Sequence, residues 1–155
     1  MSLHWLRIGV VALGLLLAPA ALAQGTGPVK VTADDFVVDQ GAGQAVFSGN
    51  VVVKRADLTL EADRVEVEYA DGTQTSIRNI IATGHVRLTT DSQKATSERA
   101  QFDPSSQVLR LAGNVTVVDA QGTVSGGELV VDLEKRTTTF SSGKGGRVTG
   151  VFTPP

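Results

Sequence analysis

Four kinds of residue in this chain could do chemistry: a histidine, a carboxylate pair, a serine between glycines and a lysine in a glycine run. Beyond residue 24 the one histidine is His85 in "TGHV", where two parallel stretches carry Asn50 in "SGNV" and Asn114 in "AGNV". Asn and His both tolerate the left-handed backbone that follows a turn glycine, so this placement gives His85 a turn role, not that of a general base. "GTVSGG" from Gly122 lacks the glycine spacing of a nucleophile elbow. "SGKGGR" from Ser142 lacks the earlier glycine and the following Ser or Thr of a phosphate-cradling loop. Asp34 and Asp35 are the closest acidic pair, and with no cysteine in the chain a metal cluster has too few ligands to draw on. Lys135, Arg136, Lys144 and Arg147 read as solvated surface. The sequence therefore predicts no catalytic residue, no cofactor and no enzyme, and a net charge of -2 gives no electrostatic footprint for nucleic acid.

The elements that hold these residues repeat. Taking Gly49, Gly84 and Gly113 as origins, position +2 holds Val51, Val86 and Val115, and position +4 holds Val53, Leu88 and Val117. Further along, one column holds Val65, Ala100 and Leu129 and the next Val67, Phe102 and Val131. Ahead of each glycine stand Phe47, Ala82 and Leu111, and before those Ala45, Ile80 and Leu109. Lys54, Glu66, Glu68, Arg87, Gln101 and Thr116 fall between the columns, which is the period-two alternation of a sheet with one covered face. "ADDFVVDQ" adds an upstream copy that puts Phe36 and Val38 in the same columns, and Phe140 begins a last, irregular copy. "RAD", "TDS", "DPSS" and "DAQG" supply turns. The glycine origins lie 35 and 29 residues apart, and Asp71-Gly72 predicts a longer hairpin in the first interval. No sustained helical period competes. The expectation is an all-β, rolled, folded-over sheet whose lining either closes as a core or stays open to acyl chains.

At the N-terminus an arginine, an apolar run over 8–17 and Ala21-Leu22-Ala23 before Gln24 predict a Sec-type signal peptide over 1–23, cleaved after Ala23, and one exported domain over 24–155. The run is shorter than the roughly 20 residues of a spanning helix. Without cysteine there is no lipid-modified N-terminus.

With this signal and the repeated "A-D-x-V-x-V" and "x-G-N-V-x-V" units from about Val31 to Phe140, the sequence resembles the LptA/OstA family of periplasmic lipopolysaccharide-export proteins. The resemblance implies an open antiparallel β-jellyroll whose apolar interior holds the acyl chains of lipopolysaccharide. It also implies a bridge between an inner-membrane export complex and an outer-membrane insertion complex, built from head-to-tail copies. On this view the lining is Phe36, Val38, Phe47, Val51, Val53, Val65, Val67, Val86, Leu88, Phe102, Leu109, Leu111, Val115, Val117, Leu129, Val131 and Phe140. An open roll leaves unpaired edges, so Val29 and Val31 at one end, and Val148 and Val151 at the other, are candidate self-association residues. Two alternatives remain at this stage: a membrane-anchored LptC-like component that keeps its N-terminal segment, and a self-polymerising β-solenoid with a filled core and no lipid.

Overall fold

Among the described residues, alternating apolar and polar positions become ten antiparallel strands joined in one sheet. The computed structural model describes residues 28–56, 58–70, 76–144 and 146–154. The expected export signal with its cleavage point and the expected hairpin at Asp71-Gly72 lie outside the described residues. The strands are β1 (Lys30–Thr32), β2 (Asp35–Asp39), β3 (Gln44–Arg55), β4 (Leu58–Tyr69), β5 (Ile77–Thr89), β6 (Gln93–Asp103), β7 (Val108–Asp119), β8 (Gly122–Asp132), β9 (Thr137–Ser141) and β10 (Thr149–Phe152). From β3 to β8 each strand pairs with the next. At one edge β2 pairs the first part of β3 and β1 its last part; at the other, β9 and β10 divide β8 in the same way.

This division follows from a bend in the middle of every long strand. The pairing register shifts between Ser48 and Val51, between Thr83 and Val86, and between Ala112 and Val115. Gly49, Gly84 and Gly113 take φ of 80, 83 and 85°, and Asn50, His85 and Asn114 follow with 47, 50 and 49°. Two consecutive left-handed residues turn the strand sharply, a conformation open to Gly and tolerated by Asn and His. A carboxylate from the neighbouring segment lies over each glycine: Asp34 over Gly49, Asp63 over Gly84 and Glu98 over Gly113. The side chain after the glycine then reaches that acid. Asn50 donates to Asp34 at 3.2 Å, His85 Nδ1 lies 2.8 Å from Asp63, and Asn114 donates to Glu98 at 3.1 Å. His85 thus has the turn role its position implied. At the fourth bend Gly127 stands in the acid's place and packs directly on the backbone of Ser142.

The bends make two half-sheets that face each other. One holds β2, β9 and the segments that pair through Phe47, Val65, Ala82, Ala100, Leu111, Leu129 and Phe140 as a single cross-strand row. The other holds β1, β10 and the row Val31, Val53, Leu60, Leu88, Ala95, Val117 and Val124. These rows are the sequence columns, laid side by side at the roughly 4.8 Å strand spacing. Beside the bends Val51, Val86 and Val115 are 1%, 2% and 0% exposed, and each such burial contributes about 1.5–3 kcal/mol.

Polar side chains close the turns at the free rims. Asp103 accepts from the Ser105 and Ser106 amides, Asp119 from those of Gln121 and Gly122, and the Thr90 hydroxyl from the Gln93 amide. The Ser105 hydroxyl bond, followed by the two amides, holds the Asp103 carboxyl below its ordinary value.

Candidate functional site

Between the half-sheets, toward the β1 end, lies a cavity of about 340 Å³. One half-sheet contributes Phe47, Val65, Val67, Ile77, Ile80, Ala82, Ala100, Phe102 and Leu109 to its wall. The other contributes Val29, Val31, Val53, Leu58, Leu60 and Leu88. Among the described residues, Arg55 and Gln101 are the polar members of the lining, and the Gln101 amide already donates to Asn79 at 3.3 Å. A wall of this kind binds through removal of apolar surface from water and offers few directional bonds, so it suits hydrocarbon and lets it slide.

Seven residues expected in the lining face this cavity: Phe47, Val53, Val65, Val67, Leu88, Phe102 and Leu109. A second group, Val51, Val86, Leu111, Val115, Val117, Leu129 and Val131, belongs to the same apolar face but is packed shut as core. Phe140 is half-buried against that core. The two remaining members depart from the expectation: Phe36 and Val38 are 55% and 41% exposed. They continue the inner rows on the edge strand β2, where the opposite half-sheet has only the three-residue β1 to cover them. Phe36 stacks on Phe47 with ring centroids 4.3 Å apart.

The edge candidates divide as well. Val29 and Val31 line the cavity at the β1 edge, while Val148 and Val151 are exposed beside and in β10. Thr153 donates its amide to Gln121 at 2.9 Å, which makes that pair hydrogen-bonded. By alternation along an antiparallel ladder the Val151 amide also faces β8, and those of Gly150 and Phe152 point away from it.

Leu58, Leu60, Ile77, Ile80, Ala82, Ala100, Arg55 and Gln101 are lining residues outside the expected set. Leu58 and Arg55 were within reach of the sequence, since period two carried one further step from Leu60 and Val53 arrives at them. Among the described residues, no three His, Asp or Glu side chains gather where a metal ion could be held.

An open, folded-over antiparallel sheet with a hydrocarbon-lined cavity between its halves is a β-jellyroll. Residues 30–137 match the model of the LptA/(LptD N-terminal domain) LPS transport protein family, and the chain belongs to that family. An uncharacterized protein of Rhizobium meliloti (strain 1021) is 30% identical over 130 residues, spanning 72% of this chain and 70% of that protein. Among solved structures, LptH of Pseudomonas aeruginosa superposes with a TM-score of 0.68 over 82% of this chain and 96% of its own. It is described as the LptA-homologous periplasmic component of the lipopolysaccharide transport device; at 19% identity the likeness is one of fold.

Proposed function

We propose that this protein is a periplasmic carrier of lipopolysaccharide, exported as a single domain after removal of residues 1–23. Acyl chains occupy the cavity while the sugars stay in water. In this reading the chain forms part of a bridge from an inner-membrane export complex to an outer-membrane insertion complex and performs transport, not catalysis. The observation that carries the proposal is the cavity wall itself, built from apolar rows that run unbroken across the strands of both half-sheets. Each methylene transferred from water contributes about 0.8 kcal/mol, so acyl chains are held without a polar recognition code. A volume of about 340 Å³ lies near the lower end of small-molecule pockets and accommodates part of a multi-acyl lipid. The exposed Phe36 and Val38 extend the same apolar surface beyond it.

The doubled edges support head-to-tail stacking of copies. Among the described residues, β1 and β2 at one end and β9 and β10 at the other are short terminal strands with one unpaired side each, and the outward amides of Gly150 and Phe152 can add a strand. Photo-crosslinking residues at Phe47, Leu88 and Phe102 should capture lipopolysaccharide, and those at Glu66 and Arg87 should not. Equal labelling of both sets would remove the assignment of the interior as the lipid path.

A further inference from the structure

We propose that Arg55 is the headgroup-recognising residue of the cavity, and that the preferred occupant is an amphiphile with a phosphate or carboxylate at the end of its apolar chain. The proposal rests on the reading of the cavity as an acyl-chain site. Arg55 is the last residue of β3 and shares the inward face with Val51 and Val53, because alternate residues of a strand point the same way. The left-handed Ala56 that follows it, with φ 49°, turns the chain at the rim. Its side chain is half-buried, and it is the cationic member of an otherwise almost wholly apolar wall. A guanidinium in such surroundings gains from an anion within reach, while its methylene stem adds to the hydrocarbon lining.

A guanidinium has five N–H donors in a planar fork that matches carboxylate and phosphate oxygens, so a contact within the chain leaves others for a ligand.

The outer face of the same rim supports this independently. Lys30 lies directly across from Lys54, Lys54 across from Thr59, Thr59 from Thr89, and Thr89 from Lys94. This row contains three lysines and no carboxylate. Like charges placed opposite one another on a sheet repel, and a net charge of -2 for the whole chain shows that the positive rim is a local arrangement. The described carboxylates at this rim stand further along it: Asp91 in the β5–β6 turn, two to three strand spacings or roughly 10–14 Å from β3, and Asp119 on β7, four spacings or roughly 19 Å away. An anionic headgroup at the β3 end of the rim therefore meets Arg55 on the inside and lysines on the outside, with its chain directed into the cavity.

The test uses the full chain and displacement of an apolar fluorescent dye by dodecyl phosphate, dodecanol and inorganic phosphate. Dodecyl phosphate should displace the dye at about tenfold lower concentration than dodecanol, the advantage of a charge-assisted hydrogen bond. Arg55→Gln should bring the two ligands to parity, and Arg55→Lys should keep part of the preference. Lys54→Gln, on the outer face, should change it by less than about twofold if the inner cation dominates. Circular dichroism checks each fold; should Arg55→Gln not fold, the reduced preference of Arg55→Lys carries the test. Equal displacement by the two ligands in the unaltered chain, an undiminished preference in the folded Arg variants, or displacement by inorganic phosphate alone would overturn the role of Arg55. If dodecanol fails to displace the dye from the unaltered chain, the cavity reading itself is overturned.

Discussion

Substituting Gly113 by Ala tests the bend most directly. A Cβ at Gly113 would approach the Glu98 carboxylate and come within 2.7 Å of Glu98 Cβ, a position fixed by the backbone of β6. Rotating the Glu98 side chain relieves the first contact but not the second, and it forfeits the bond from Asn114. The left-handed backbone, φ 85°, adds its own penalty. Strain of about 1–2 kcal/mol and a lost hydrogen bond of about 0.5–1.5 kcal/mol predict a destabilisation of roughly 2–4 kcal/mol once the contact is included. Urea unfolding followed by far-ultraviolet circular dichroism measures it. Glu98→Gly in the same background should recover the contact part and leave the backbone strain, so the two substitutions should not be additive. A loss below about 0.5 kcal/mol for Gly113→Ala would refute the account of the corner as a sterically specified element.

Val115→Asp, at a position with no exposure, should cost several kcal/mol or abolish folding, read by the same unfolding assay. Leu129→Ala, in the closed part of the core, should lose about 2–5 kcal/mol, whereas Leu60→Ala, which already faces the cavity, should lose less in parallel urea titrations. Phe152→Pro should weaken concentration-dependent association in sedimentation experiments while the monomer stays folded; Val151→Pro should instead loosen β10 from β8, seen as faster amide exchange in both strands. The Asp103 carboxyl is held below its ordinary value by the Ser105 hydroxyl and the turn amides, so its stabilisation is present above the unfolded value and is lost as pH falls through the lower folded value. Asp103→Asn should flatten that acid limb of a stability–pH curve.

Much of this architecture was legible in the order of residues because a sheet converts sequence period directly into faces. Val51, Val86 and Val115 stand two places after their glycines, and the register places all three beside a bend in the core. The site was less legible, for a different reason. Val65 and Leu129 occupy one sequence column, yet one lines the cavity and the other is packed shut. What separates them is how closely the half-sheets approach at each end of the roll, a property of the assembled molecule that no single column encodes. Phe36 and Val38 obey the alternation and still end exposed, because burial also needs a strand opposite, and β1 is too short to provide one. Arg55 escaped an apolar search by being charged, although its parity matched its neighbours. The direction of the amides in β10 depends on which cross-strand pairs are hydrogen-bonded, and side-chain pattern carries no record of that.

The bends also determine where the chain can change length. From each bend glycine to the residue that covers the next bend the count is constant: Gly49 to Asp63, Gly84 to Glu98 and Gly113 to Gly127 each span 14 positions. On the opposite rim it is not, since the paired residues Arg64 and Thr83 are 19 positions apart and Arg99 and Ala112 only 13. The six extra residues are an even number, so every side chain beyond them returns to its own face; an odd insertion inside the strands would send the whole inner row into water. One rim therefore works as a fixed gauge and the other as a site of tolerated growth. Variation in length among molecules built on this plan should accumulate in even steps, or in turns, on the side of the roll away from Arg55.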